Sequence, residues 1–369
     1  MRIDLVITEL DTGGAEKCCV ELALFLSQRG HQIRVIALGP RPESSKDSLV
    51  QLLESNHIQT HFLGGKAWWM FPKVIWKLRR LFKSDRPDVV QSFLWHANVV
   101  LAWVSPSFGI PFFVGIRVSE PLKNRHALDR WSVSRSNKAI CVSQGVADWC
   151  VQTEKMDASK LIVIPNGIAI PRDKQSIPLE SHDVPANSRV LLFVGRLEHQ
   201  KGVDVLVQRA ESLLWRLPDH HLVFIGIGYL RQLVDTLARQ RNLKGRVHCL
   251  GLRKDVRAWM ARSELLLLPT RYEGMPNVIL EAMVEGLPVV TTRVEGVAEL
   301  LGEQLVTQSV AREAWDDFFE LAFSMANSPE LRKAIGSANR NRAELEFALA
   351  DQLKQYEALY LPFGMLLST

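Results

Sequence analysis

The sequence predicts an α/β protein made of two doubly wound, parallel-sheet domains, and three observations predict it. Short β-rich runs alternate with helical patterns from end to end, as in parallel sheets covered by helices on both faces. The alternation breaks once, between residues 165 and 188, where Pro165, Pro171, Pro178 and Pro185 interrupt a stretch without hydrophobic periodicity. Each half also opens with a glycine-containing turn between its first strand and first helix: Gly13-Gly14 in one, Gly195 to Gly202 in the other. A chain of 369 residues exceeds what one core of ordinary size organises.

In the first half, strands are expected over residues 2–8, 31–38, 58–63, 89–93, 112–116, 139–142 and 161–164. The first helix, 15–29, is closed by Gly30, the usual C-terminal stop. The second half restarts with strand 189–194 and helix 202–217. It continues through strand 221–225, helix 230–241, strand 246–250, helix 256–261, strand 265–268, helix 277–285 and strand 288–292. Residues from 311 onward read as mainly helical. The boundaries drawn are a first domain over 1–170, a linker over 171–188, a second domain over 189–345, and a helical tail over 346–369 expected to pack on the first domain. In such folds ligands bind beyond the carboxyl ends of the strands, so the turns after the strands are the places to look for chemistry.

Composition narrows the class. With 47% hydrophobic and 23% charged residues, the balance is that of a soluble globular protein. A formal charge of +5 permits an anionic partner without choosing one. Cys18, Cys19, Cys141, Cys150 and Cys249 are odd in number and form no C-x-x-C pair, which speaks for reduced thiols and against a zinc or disulfide framework. Asp4, Glu9 and Asp11 fall where a signal peptide needs its apolar core, and no run reaches the roughly 18 apolar residues of a membrane span. The expected location is the cytoplasm, with peripheral attachment to the cytosolic face of the inner membrane as an extension of it.

Three constellations carry chemistry. Gly13-Gly14 at the start of the first helix allow close backbone approach, and the helix N-terminus behind them favours an anion such as a diphosphate. It is not the G-x-G-x-x-G dinucleotide fingerprint. After the first strand of the second half, Gly195-Arg196-Leu197-Glu198-His199-Gln200-Lys201-Gly202 places Arg196 and Lys201 around a turn that opens a helix. Both cations can converge on one anion and neutralise a leaving diphosphate. The most specific is the run from Pro269 to Met283. Thr270 to Pro276 form a turn after a four-leucine strand, Glu273 lies in that turn, and Glu281 lies about one turn into the helix that begins at Asn277. A carboxylate accepts hydrogen bonds only and suits the capture of hydroxyl pairs.

These residues closely resemble glycosyltransferase family 4, the retaining GT-B glycosyltransferases also called glycosyl transferases group 1. The family's two glutamates separated by seven residues stand here as Glu273 and Glu281, and its glycine–arginine–lysine loop as Gly195, Arg196, Lys201 and Gly202. Gly13-Gly14-Ala15-Glu16, Pro165-Asn166-Gly167-Ile168 and Gly286-Leu287-Pro288-Val289-Val290 also match, in order, across residues 1 to 305. The resemblance implies two Rossmann-like domains facing across a cleft. It implies transfer of a hexose-type sugar from a nucleoside-diphosphate donor, a UDP-sugar being expected, to a hydroxyl of a lipid-linked or saccharide acceptor. Polysaccharide or glycolipid assembly is the setting it implies, with retained anomeric configuration, no metal, and no cofactor besides the nucleotide-sugar co-substrate. By the same resemblance Arg196 and Lys201 hold the diphosphate beside Gly195, and Glu281 holds the ribose. Glu273 holds the transferred sugar with the backbone of Gly274, Met275, Pro276 and Asn277.

His96 sits at the carboxyl end of a strand, where the family often has a histidine near the reacting sugar; a hydrogen bond to a donor hydroxyl is expected of it. Arg117 also ends a strand and reads as a cleft-rim cation. Two positions depart from the family: Ala169 follows Ile168 where an aspartate is common, and Val294-Glu295-Gly296-Val297 replaces a segment that often carries paired glycines.

Residues 66–83 hold six cations and no acid. A helix from Pro72 would put Val74, Ile75, Leu78 and Phe82 on one face and Lys73, Lys77 and Arg80 on another. The segment reads either as an amphipathic helix packed on its own domain with solvated cations outside or, with Trp68 and Trp69 ahead of it and Arg79 beside Arg80, as a contact with an anionic membrane surface, and the two are compatible. No nucleic-acid motif accompanies it. Two other functions fit the same scaffold: a nucleotide-sugar 2-epimerase of GT-B fold, and a non-catalytic, membrane-associated binding protein.

Overall fold

The computed structural model describes every residue except 12, 45, 120, 121, 123, 171–176, 178–183 and 365–369, and at Trp68 the backbone alone. The expected linker, 171–188, lies largely outside the described residues. Two compact units result: Met1–Asn166 with Ala350–Thr369, and Gly167–Leu349.

The first unit runs β1 (Arg2–Ile7), α1 (Gly14–Gln28), β2 (Gln32–Ala37), α2 (Ser48–Ser55), β3 (Gln59–Phe62) and α3 (Phe71–Ser84). It continues with β4 (Val89–Phe93), α4 (Trp95–Val104), β5 (Phe112–Ile116), α5 (His126–Arg135), β6 (Lys138–Cys141), α6 (Gln144–Gln152) and β7 (Leu161–Val163). The strands form one parallel sheet in the order β3-β2-β1-β4-β5-β6-β7. Strands with helices on both faces must be apolar on both sides. β4 is buried along its whole length, and α1 presents Cys19, Val20, Leu22, Ala23 and Leu26 inward.

One exception to this apolar rule is Asp4 of β1, fully buried and directly opposite Arg34 of β2. The guanidinium meets its carboxylate at 3.0 and 2.5 Å and reaches on to the Asp85 carbonyl at 3.0 Å. The pair therefore pins the end of α3 to the sheet. Burial lifts the Asp4 pKa to about 6 although Arg34 pulls it down.

In the second unit β8 (Arg189–Val194), α7 (Val203–Arg216), β9 (His220–Ile225), α8 (Arg231–Ala238), β10 (Val247–Cys249) and α9 (Val256–Arg262) come first. β11 (Leu265–Leu268), α10 (Asn277–Val284), β12 (Val289–Thr292), α11 (Val297–Leu301), α12 (Leu305–Gln308), β13 (Ser309–Val310), α13 (Trp315–Ala326) and α14 (Pro329–Glu346) follow. The sheet is again parallel, ordered β10-β9-β8-β11-β12-β13. The last helix, α15 (Leu349–Gly364), returns to the first unit from Ala350 onward. There Tyr360 bonds Gln91 at 3.2 Å and packs on Phe113, and Glu357 pairs with Arg29 and His31.

Arg34→Ala strands a buried carboxylate and is expected to cost about 3–5 kcal/mol of stability at pH 7. A carboxyl whose pKa is raised on folding favours the fold when protonated. Stability tied to Asp4 is therefore regained as pH falls through 6. Urea unfolding at pH 7 and pH 5 should show the deficit shrinking at the lower pH.

Candidate active site

In each sheet the strand order reverses once: between β1 and β4 in the first unit, between β8 and β11 in the second. Chains leaving neighbouring strands at such a point diverge to opposite faces and open a crevice at the carboxyl ends. The turns after β8 and β11 carry Arg196, Lys201 and Glu273; those after β1 and β4 carry Gly13-Gly14 and His96. The sheet topology thus collects the residues singled out by sequence at two places.

At the second unit's reversal, β8 ends at Val194 and a tight 3-10 turn, His199–Lys201, precedes α7. Gly202 joins turn to helix at φ +70°, and a Cβ there would collide with the Pro269 carbonyl at the end of β11. The two loops can therefore touch only because residue 202 is glycine. Across that contact Lys201 Nζ donates to Glu273 Oε1 at 2.5 Å, and Thr270 Oγ1 donates to the same oxygen at 2.8 Å. Lys201 and Glu273 are 15% and 8% exposed at the side chain, whereas Arg196 is 60% exposed. Arg196 pairs with Glu198 at 2.9 Å and donates to Gln200 Oε1 at 2.7 Å.

Arg271, between Thr270 and Glu273, grips Asp204 of α7 with both guanidinium nitrogens at 2.8 Å and lies over the Trp315 ring. Burial would raise the Asp204 pKa, yet the Arg271 hydrogen bonds and charge hold it below the usual carboxylate range. Behind the loop, Thr292 donates to the Thr270 carbonyl and Thr291 to that of Leu268. Pro276 caps α10, so Asn277 is its first residue, and Glu281 lies one turn further on, partly exposed. Gly274 and Met275 are crossed by Gly296, the α11 cap at φ +78°, where a Cβ would strike the Gly274 carbonyl. The neighbouring departure, Glu295, is tied to Arg312 at 2.9 Å.

In the first unit, Gly13 caps α1 with no side-chain bond. The carboxylate of Glu16, 7% exposed, folds back over its own backbone N–H and fills the space a Gly13 side chain would take. The α1 N-terminus is thus occupied by the protein's own carboxylate, where the sequence offered room for a diphosphate. Burial raises the Glu16 pKa, with Glu9 adding to it. After β4, Leu94 is forced to φ +72° and ψ 157°, a conformation that costs a branched residue about 1–3 kcal/mol. It turns Trp95 and His96 into α4, where the His96 ring meets Trp95 at 4.9 Å and Phe71 at 5.9 Å. Burial and the Arg125 charge lower the His96 pKa. Arg117 is half-buried: it donates to Asn166 Oδ1 at 2.5 Å, bonds Tyr356 of α15, and lies over the Phe93 ring.

The basic helix is α3. Val74, Leu78 and Phe82 are buried as expected, and Ile75 only partly. Lys73, Arg79 and Arg80 are exposed, but Lys77 turns inward to the Leu63 carbonyl at 2.6 Å, a correction to its expected outward face. Trp69 is 67% exposed, and Trp76, to which the sequence pattern gave no role, is 58% exposed beneath Arg80. The Trp68 side chain lies outside the described residues.

Two contributors are not visible in the sequence pattern. Thr270 carries no charge, and its bond to Glu273 depends on the turn's geometry. Tyr229, in the loop after β9, accepts from the His199 N–H at 2.9 Å; its only signal was Gly226-Ile227-Gly228 at a strand's carboxyl end.

The ion pair makes the two cations unequal. Lys201→Ala leaves Glu273 buried without its counter-charge and is expected to cost about 3 kcal/mol of folding stability. Arg196→Ala, at the surface, should stay within about 0.5 kcal/mol. Guanidinium unfolding of the ligand-free variants checks this, and replacing Glu273 by Gln together with Lys201→Met should restore most of the loss.

The chain matches Glycosyltransferase Family 4 over residues 12–172 and Glycosyl transferases group 1 over residues 188–322. It is 28% identical over 330 residues to an uncharacterized glycosyltransferase of Methanocaldococcus jannaschii, covering 83% of this chain and 84% of that one. It is 27% identical over 241 residues to the Escherichia coli UDP-Gal:alpha-D-GlcNAc-diphosphoundecaprenol alpha-1,3-galactosyltransferase, covering 61% and 62%. Anabaena HepE in complex with UDP-glucose has the same fold, with a TM-score of 0.83 over 97% of this chain and 99% of that one at 21% identity. The two matched stretches follow in order, and the paired Rossmann-like sheets carry the expected motifs at their reversals. The chain belongs to glycosyltransferase family 4, the glycosyl transferases group 1, and has the GT-B fold class.

Proposed function

We propose that this glycosyltransferase moves a hexose-type sugar from a UDP-sugar to a hydroxyl of a lipid-linked or saccharide acceptor. The transfer retains anomeric configuration, needs no metal, and serves glycolipid or polysaccharide assembly. The observation that carries the reading is the convergence of Arg196, Lys201 and Glu273 at the β8–β11 reversal. Similar proteins support the donor and acceptor classes: HepE forms a complex with UDP-glucose, and the E. coli enzyme is named for UDP-Gal and a diphosphoundecaprenol-linked sugar.

In this reading the bond between the anomeric carbon and the diphosphate breaks with its electron pair on the diphosphate, and the acceptor oxygen bonds to that carbon as its proton passes to the departing diphosphate oxygen. Arg196 and Lys201 stabilise the charge that builds on the leaving group. Glu273 and the Gly274–Asn277 backbone hold the sugar, Glu281 the ribose, and His96, favoured in its neutral form, a sugar hydroxyl. The acids nearest the cations are already engaged: Glu273 by Lys201 and Thr270, Glu198 by Arg196, Asp204 by Arg271. That leaves the charge-neutralising role to the cations and supports metal-free chemistry.

Glu281→Ala is expected to weaken UDP binding by about 1–3 kcal/mol in calorimetry, because the ribose loses an acceptor. An unchanged affinity sinks the ribose assignment. Transfer should persist in excess EDTA; activity abolished by EDTA and restored by magnesium or manganese overturns the metal-free reading. Incubation with donor alone separates this from the 2-epimerase, which alone would form a new sugar.

The acceptor class brings in the membrane. Among the described residues no helix is long and apolar enough to cross one. Peripheral attachment at the cytosolic face of the inner membrane is proposed through Trp69 and the outer face of α3, where Trp76 adds apolar surface and Lys73, Arg79 and Arg80 add charge worth about 1 kcal/mol each near an anionic surface. The protein should pellet with phosphatidylglycerol vesicles but not with phosphatidylcholine vesicles, and release as salt rises. Replacing Trp69 and Trp76 by Ala should abolish pelleting without lowering the melting temperature.

A further inference from the structure

We propose that Gln200 is a positioning residue of the donor site, one that aims Arg196 at the diphosphate without cancelling its charge. The inference rests on the reading of Arg196 as a diphosphate cation. Gln200 stands in the 3-10 turn just before Lys201 and is 9% exposed. Both ends of its amide are engaged: Oε1 accepts from Arg196 Nη2 at 2.7 Å, and Nε2 donates to the Tyr272 carbonyl at 2.9 Å. Its own carbonyl accepts from the Arg271 N–H at 2.8 Å and from Thr270 Oγ1 at 3.2 Å. One residue thus ties the loop of the two cations to the loop of Glu273 by three hydrogen bonds, while its fourth, to Arg196, lies within its own loop.

The chemistry of the amide matters. Arg196 is a long side chain, 60% exposed, and holding such a chain in one geometry costs rotamer entropy. Glu198 restrains it from one side but neutralises it. Gln200 restrains it from the other through a neutral acceptor, which adds no second negative charge to that of Glu198 and so opposes an incoming anion less than a carboxylate would. The Tyr272 bond fixes the amide's orientation, because only one of its two ends can face each partner. A residue that merely cements the two loops would support every contact of the site alike, whereas a residue that aims Arg196 affects the diphosphate alone.

The test compares UDP with uridine, which lacks the diphosphate, on the full chain. Gln200→Leu keeps the volume and removes both side-chain bonds. It should weaken UDP about tenfold while leaving uridine within about twofold. Gln200→Glu keeps an acceptor for Arg196 but adds a negative charge, and should weaken UDP more than the leucine variant does. In an Arg196→Ala background the effect of Gln200→Leu on UDP should largely vanish, the mark of two residues acting as one. Equal losses for UDP and uridine, or additive effects of Gln200→Leu and Arg196→Ala, overturn the proposal. So does a glutamate variant that binds UDP as the wild type does. A variant with a lowered melting temperature still discriminates, since the ratio of the two affinities is measured on the folded fraction. If the wild type ignores UDP but binds GDP, only the base is wrong, and the same cycle is run with GDP and guanosine. If it binds no nucleoside diphosphate, both readings fail.

Discussion

The contact of Lys201 with Glu273 holds the second unit's site together, because it joins two loops that the sheet topology sends in opposite directions. Chain leaving β8 turns to one face and chain leaving β11 to the other. Nothing in the sheet itself keeps the crevice between them at a fixed width. The ion pair does, at 2.5 Å and largely out of water. A buried pair of this kind is weak as a source of net stability but strongly penalised when broken. Its effect is therefore to select one loop arrangement over the alternatives. Thr270 supports the carboxylate from below and Arg271 locks the same loop to α7.

That arrangement explains where glycine is required. Gly202 sits against the Pro269 carbonyl and Gly296 against that of Gly274, so backbone passes backbone on both sides of the loop that carries Glu273. Side chains at either position would push the loop away from its neighbours and open the ion pair. The family resemblance had placed a glycine pair near residue 296; only the second of the two is needed for this packing, and Glu295 is turned aside to Arg312.

Much of the architecture was legible because its signals are periodic. The strand over residues 265–268 was readable as an unbroken run of leucines, and the helix beginning at Asn277 was marked by the proline ahead of it. What periodicity does not encode was missed. β13 has two residues, too few to show a pattern, and exists because β12 offers it an edge. The positive φ of Leu94 has no signature in a leucine. Lys77 was placed outward by helical geometry alone, yet a long flexible chain can fold back, and the Leu63 carbonyl draws it in. In the site, charged residues were found because charge at a strand's carboxyl end is conspicuous. Thr270 and Gln200 carry no charge themselves, and the bonds that join their two loops link residues about 70 apart in sequence, so only folding brings them together.

The two strand reversals differ in electrostatic character, and the difference bears on which reactant each unit serves. The second unit gathers arginine, lysine and their acid partners, and Arg271 holds the Asp204 pKa down, toward the charged form. In the first unit the shifts run the other way: burial raises the Glu16 pKa and lowers that of His96, both toward the uncharged form. The surroundings of His96 are aromatic, with Phe71 and Trp95 against its ring. The Leu94 backbone that presents them is strained at φ +72°, and such strain persists only where the surrounding structure holds it and often where it positions a functional group. A diphosphate is better matched by the charged reversal. Sugar rings, with apolar faces and hydroxyl edges, are better matched by a neutral, aromatic one. The α1 N-terminus fits the same contrast, since the Glu16 carboxylate folds over its own N–H there and its charge disfavours a second anion. On electrostatic grounds alone, the second unit's reversal is the better match for an anion and the first unit's for an uncharged, partly apolar ligand.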